Sequence, residues 1–201
     1  MTARLIAFEG GDASGKSTQA RRAAARLNAV LTREPGGTAL GETLRSLVLE
    51  PDAHVDPRAE ALMIAAARAQ HVAEVIRPAL VRGRDVVTDR FTASSLVYQG
   101  FGSGLDVGEV RSLNEFATAG LWPDLTVLID VPVEAAMARL AGSPDRFERE
   151  QGGFHERVRS GYLELAANDP SWVVVDGTGT VEEVADLVDA ALAERLRGLG
   201  R

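Results

Sequence analysis

The chain has 201 residues, 45% of them apolar, with 25% charged residues and a formal net charge of −7. This length and apolar content support one sizeable core and one domain spanning residues 1–201. The acidic balance excludes a broad electrostatic footprint for nucleic acid, and zero cysteines exclude disulfides and thiolate metal sites. No apolar run approaches the ~18 residues of a membrane span and no tripartite leader pattern opens the chain, so a cytoplasmic protein is expected. Of the 22 basic residues all but Lys16 are arginine.

In chain order, Arg4–Glu9 is a short apolar strand that runs into the glycine-rich stretch Gly10–Thr18, and an Ala- and Arg-rich helix follows to about Leu27. Strand-like runs recur at Ala29–Thr32, Asp85–Asp89, Leu125–Val131 and Trp172–Asp176. Helices are expected at Leu40–Leu49, Arg58–Val81, Thr92–Gln99, Val107–Thr118, Val133–Leu140, Phe154–Ala167 and Val181–Arg197, with Pro78 bending or ending the second of these. Short buried strands alternating with helices predict an α/β fold, a five-stranded parallel sheet flanked by helices in three layers. The charged, glycine-containing stretch Ala141–Gly153 lies between two helices and suits a short mobile lid.

Gly10, Gly11, Asp12, Ala13, Ser14, Gly15, Lys16, Ser17 and Thr18 form a complete P-loop pattern. Its glycines let backbone N–H groups close around phosphate oxygens, and the helix that follows presents N-terminal amides and a favourable dipole. Lys16 is expected to reach the β- and γ-phosphates of a nucleoside triphosphate, and the Ser17 hydroxyl to ligate Mg²⁺. A guanine-reading GTPase needs a second lysine in its Asn-Lys-x-Asp motif, which this chain lacks. ATPase motors close a strand with Asp-Glu, whereas here the strands end in Asp89-Arg90 and Asp130-Val131. Asp89 offers a carboxylate toward Mg²⁺ and Arg90 a guanidinium toward a second phosphate, which suits a kinase with a phosphorylated acceptor.

Several segments together resemble the bacterial thymidylate kinases, from the first strand to the last helix. They are Phe8–Gln19, Thr32–Thr38, Leu44-Arg45, Ala66–Arg68, Asp89-Arg90 with Ser94–Gly100, Pro123–Thr126 and Asp145–Glu148. The Thr-Arg-Glu-Pro-Gly-Gly-Thr and Tyr-Gln-Gly segments, at this spacing from Asp89-Arg90, are more specific to that family than the P-loop. The resemblance implies phosphoryl transfer from MgATP to dTMP. It implies that Arg45 and Arg90 clamp the acceptor phosphate, and that Arg68, Ser95 and Gln99 read the thymine edge. Tyr98 would pack by the sugar and leave little space for a 2′-hydroxyl, while Glu34, Pro35 and Ile64 complete the acceptor site. Asp12 would position the acceptor through Mg²⁺ or water. The P-loop carries no arginine, so Arg146 and Arg149 are expected to close over the γ-phosphoryl group from the lid. Arg139 is expected either to stack on adenine or to sit as a plain surface charge.

Two positions depart from the family pattern. Ile64 stands where an aromatic ring usually stacks on thymine, and Phe91 follows the Asp-Arg pair where Tyr or His is common. His54, His71 and His155 lack metal-ligand spacing and read as surface or packing residues. The family forms dimers through helices in the Ala-rich part of the chain, so a homodimer is expected. Two other functions fit the sequence: a kinase for another nucleoside monophosphate such as dUMP, and a non-catalytic ATP-binding interaction module.

Overall fold

The computed structural model describes residues 3–140, 145–150 and 153–198. Five strands, β1 (Leu5–Glu9), β2 (Val30–Arg33), β3 (Val86–Asp89), β4 (Leu125–Asp130) and β5 (Trp172–Asp176), form one sheet in the order β2-β3-β1-β4-β5. Every pairing is parallel, with Leu5 opposite Val86 on one side of β1 and Ile6 opposite Leu125 on the other. Because the connection from β1 leads to β2 on one side and the connection from β3 crosses to β4 on the other, a crevice opens at the carboxyl ends of the strands, where the P-loop sits.

Side-chain alternation along β1 sorts its residues to two cores. Ile6 and Phe8 join Ala20, Ala23 and Val188 beneath α1 (Lys16–Leu27) and α9 (Val181–Gly198). Leu5 and Ala7 meet Val72, Ile76 and Ala79 on the opposite face. There α3 (Pro57–His71) continues through a π turn, Val72–Ile76, into α4 (Arg77–Val81). A third cluster, centred on Val48, Tyr98, Phe154 and Tyr162, lies among α2 (Ala39–Leu49), α5 (Thr92–Ser95) and α8 (Phe154–Ala167). Helices α6 (Val107–Thr118) and α7 (Val133–Met137) complete the described elements. Coverage of both faces is what lets β1 carry five buried residues in a row.

The strands fall within a residue of their expected bounds, and three helices differ. The helix expected over Arg58–Val81 runs its whole length but not in one form. Pro78 lacks an N–H, and the wider turn just before it carries an Arg77 N–H to Val72 O bond, so the chain passes the proline without ending. The helix expected over Thr92–Gln99 is α-helical only to Ser95 and then forms a π turn, Leu96–Gly102, which holds Tyr98 and Gln99. Helix α7 stops at Met137, short of the expected Leu140. Of the expected lid, residues 141–144 and 151–152 lie outside the described residues.

Candidate active site

The P-loop geometry follows from its glycines. Gly10 has φ +148°, and a Cβ there would lie 2.6 Å from the Ile129 carbonyl oxygen, so no side chain fits. Gly15 has φ +89° and caps α1, which starts with no side-chain cap and no acid in its first turn. Its amides and dipole are thereby left for an anion. Lys16 is buried and donates to the Gly11 carbonyl at 3.1 Å. Burial, helped by the Arg90 charge, lowers its pKa to about 8.

Two cavities meet at Asp12 and Arg90. The wider, of about 680 Å³, is lined by Ala13, Lys16, Ser17, Arg21, Arg33 and Asp89 and has room for a polyphosphate. The narrower, of about 100 Å³, is lined by Glu34, Pro35, Arg45, Ile64, Arg68, Arg90, Ser95, Tyr98 and Gln99. All nine residues that the sequence suggested for the acceptor thus surround one space. Leu49, Ser94, Asp145 and Phe147 line it too. Arg45 reaches both cavities and donates to the Pro35 carbonyl at 3.0 Å.

Arg90 is the hinge of the site. Its φ of +69° is left-handed, a conformation that costs a non-glycine residue about 1–2 kcal/mol. Its guanidinium donates to Asp12 at 2.6 Å, to Tyr98 Oη at 3.0 Å, and to Gly10 O, Ser94 Oγ and Tyr162 Oη at 3.1 Å each. The guanidinium also sits 4.8 Å from the Tyr98 ring centroid. Burial opposes the charge on Arg90, but Tyr98, Asp12, Tyr162 and Glu9 together raise its pKa well above the ordinary value. Burial likewise opposes the Asp12 carboxylate, and Arg90 and Lys16 outweigh it, holding that pKa below the usual range. Tyr98 donates its hydroxyl to Asp12 at 2.8 Å, so Asp12 directly orders two residues that line the narrower cavity.

Arg68 is fully buried and almost saturated. Nε donates to Glu34 at 2.6 Å, Nη1 to Ser95 Oγ at 2.8 Å and to Asn114 Oδ1, and Nη2 to the Phe91 carbonyl at 3.0 Å. One of its five N–H groups is left over for a ligand. Glu34 is held on its other oxygen by His71, which also bonds Thr32. His71 is therefore no surface group, being fully buried and fixing the carboxylate that fixes Arg68.

The expected catalytic cations of the lid stand elsewhere. Arg146 donates to the Val48 carbonyl at 3.0 Å and pairs with Glu60, and Arg149 lies 3.3 Å from Asp52. Neither lines the wider cavity; Arg146 turns instead to buried Glu60 and Arg149 to Asp52. Arg139 is exposed and donates to the carbonyls of Gly177 and Thr178, linking the turn after α7 to the loop after β5.

Several residues of the site had no role assigned from the sequence. Glu9 is fully buried and accepts from the Phe91 and Ser94 amides, Ser94 Oγ and Tyr162 Oη. Burial outweighs those donors and Arg90 and raises its pKa. A carboxylate closing an otherwise apolar strand was the available signal. Glu60 and Asn114 gave none, since each joins the site through tertiary contact, whereas Phe147 falls in the Asp145–Glu148 segment that carries the family resemblance.

Mg²⁺ can be tested against the residues present. Asp89 Oδ1 is buried with no hydrogen-bond partner among the described residues, and Ser17 is exposed on the same cavity. No cluster of three or more His, Cys, Asp or Glu suited to a metal occurs among the described residues. That donor set fits an ion carried mainly by substrate phosphates and waters, with one or two protein oxygens behind it.

A glycine-lined anion loop, a buried lysine and an adjoining second pocket on one parallel sheet define a P-loop nucleotide kinase. A family model described as thymidylate kinase matches residues 8–188. A thymidylate kinase of Cupriavidus metallidurans is 48% identical, covering 96% of this chain and 99% of its own. One of Thermomicrobium roseum is 49% identical, covering 96% of each. The crystal structure of a thymidylate kinase from Ehrlichia chaffeensis superposes with a TM-score of 0.77 at 33% identity, over 96% of this chain and 99% of that one. The chain belongs to the thymidylate kinase family.

Proposed function

We propose that this protein transfers the γ-phosphoryl group of ATP to dTMP, giving ADP and dTDP. The observation that carries the reading is the pair of cavities joined at Asp12 and Arg90, one rich in phosphate-binding groups and one shaped for a base. A single domain spanning residues 1–201 holds both. The P-loop amides, Lys16, Ser17 and Thr18 hold the triphosphate, and Arg139 borders the adenine end. Arg90 and Arg45 hold the acceptor phosphate, while Asp12 keeps Arg90 and Tyr98 in place. The remaining Arg68 N–H faces a thymine carbonyl, Ser95 lies beside it, and the unpartnered Gln99 Oε1 accepts from the ring N3–H. Ile64 and Pro35 supply apolar walls, and Glu34 orients Arg68.

Mg²⁺, held by Ser17 and by Asp89 through water, would neutralise charge on the phosphates. The acceptor oxygen is already anionic, so no strong general base is needed. Arg146 and Arg149 leave Glu60 and Asp52 and swing over the transferring group when the lid closes. The protein works in the cytoplasm without nucleic acid and assembles as a homodimer. Support for the last point is the exposure of Leu47, Leu62 and Phe116 on neighbouring α2, α3 and α6, at 54%, 59% and 87%. No helix among the described residues is long and apolar enough to cross a membrane.

The test is a coupled ADP-release assay with MgATP and a panel of nucleoside monophosphates. Acceleration by dTMP above dUMP and CMP is expected. No acceleration by any of them, or preference for another, overturns the reading. Sedimentation at several concentrations tests the dimer, and a monomer throughout would overturn it.

A further inference from the structure

Glu60 is a charged residue 2% exposed, on the first turn of α3, and both of its carboxylate oxygens are engaged inside the protein. Oε1 accepts from Gln99 Nε2 at 2.7 Å, and Oε2 accepts from Arg146. The two partners come from different parts of the site. Gln99 lies in the π turn Leu96–Gly102 and lines the base cavity, whereas Arg146 belongs to the segment whose Asp145 and Phe147 close that cavity. Arg146 further stacks its guanidinium 4.5 Å from the Phe147 ring centroid, and Phe147 meets Tyr98 edge-on at 5.4 Å.

The chemistry of a carboxylate fixes what Gln99 can do. An amide has a donor end and an acceptor end, and a carboxylate facing it accepts only, so the NH₂ must turn toward Glu60. The carbonyl oxygen is then forced the other way, and Gln99 Oε1 is buried without a partner among the described residues. An orphan acceptor of this kind favours a ring that presents N–H at that edge and disfavours one that presents a lone pair. Thymine and uracil carry N3–H, while cytosine carries a bare N3.

We infer that Glu60 is a positioning residue for base selection: it holds the Gln99 amide in the orientation that rejects cytosine, and with its second oxygen docks the lid segment through Arg146. The inference rests on the acceptor pocket being a nucleobase site, as proposed above. Replacing the carboxylate by an amide of the same shape, Glu60→Gln, removes the compulsion. The new side chain can offer its own NH₂ to the Gln99 oxygen and let Gln99 turn its donor to the ring.

The experiment compares kcat/KM for dTMP and dCMP in the wild type and in Glu60→Gln, with circular dichroism to confirm folding. Wild-type ADP release must first respond to dTMP, and its failure would remove the proposed function itself. Given that response, the dTMP-to-dCMP ratio in Glu60→Gln is expected to fall about tenfold, with KM for ATP changed less than about threefold. A proportional loss with both nucleotides, or an unchanged ratio, overturns the inference. The wild type alone supplies a second readout through the Gln99 side-chain amide protons, assigned by their absence in Gln99→Leu. Slow hydrogen exchange without nucleotide is expected, and rapid exchange overturns the inference even if Glu60→Gln does not fold.

Discussion

The base cavity and the phosphate cavity are built on opposite principles. Around the base, Arg68 has four of its five N–H groups engaged, Glu34 has both oxygens bound, and the one waiting acceptor, Gln99 Oε1, is aimed by its amide's bond to Glu60, so shape and donor pattern are set before any ligand arrives. Around the phosphates, Ser17 is exposed and, among the described residues, the buried Ser14 Oγ and Asp89 Oδ1 have no partner and Lys16 donates only to a carbonyl oxygen. A site that discriminates needs donors and acceptors fixed in place, since a mobile amide accepts either partner. A site that binds a highly charged, ion-bearing group can leave polar atoms waiting, because charge-assisted bonds recover the loss on binding. The price of that second design is a local weakening of the free protein.

Lys16→Met should show this contrast most strongly. Its kcat/KM is expected to fall about 10³-fold or more, since charge at the transferring group is removed. Its unfolding midpoint should hold or rise, because an apolar chain replaces a desolvated amine. A lower midpoint would place Lys16 among the residues that support the fold.

Arg90→Met should behave differently. It leaves Asp12 and buried Glu9 without their main cation, and a loss of about 3 kcal/mol in stability is expected from denaturant unfolding, together with loss of dTMP binding. Unchanged stability would mean that the network around Arg90 forms only with nucleotide.

Arg146→Ala separates the two cavities from the side of the lid. A fall in kcat of about 10²-fold is expected, with KM for dTMP moving only a few-fold. Equal loss in both would assign Arg146 to the base cavity alone.

The smallest effect concerns pH. Burial lowers the Lys16 pKa from 10.5 to about 8, so the free protein sheds that proton as pH rises through about 8. The unfolded chain holds it until about 10.5, so this group's contribution to stability grows with pH between those values. An anionic triphosphate restores the charge, and its binding therefore takes up a proton in the same window. Affinity for ATP should weaken by up to about tenfold between pH 8 and 9, and calorimetry in two buffers should register the uptake. No uptake would indicate a lysine already charged throughout.

How much of this was legible depends on how far each interaction reaches along the chain. Gly10 to Thr18 and Asp89-Arg90 are contiguous, and their residue types state their chemistry. The acceptor residues between Glu34 and Gln99 are scattered, and only the family pattern assembled them. Glu60 could not be found in this way, because its meaning lies in a glutamine and an arginine that are far off in sequence. The π turns at Val72–Ile76 and Leu96–Gly102 were also hidden. Each inserts one extra residue per turn, and over five to seven positions an apolar pattern does not separate that from an α-helix.

The solitary lysine has a use outside catalysis. With its pKa near 8, a sizeable fraction of Lys16 is an uncharged primary amine at mildly alkaline pH, and every other basic side chain besides histidine is a guanidinium. Among side chains an aldehyde-bearing nucleotide analogue followed by reduction would therefore attach at Lys16, and the part of the labelling that excess ATP blocks would count competent P-loops in a preparation.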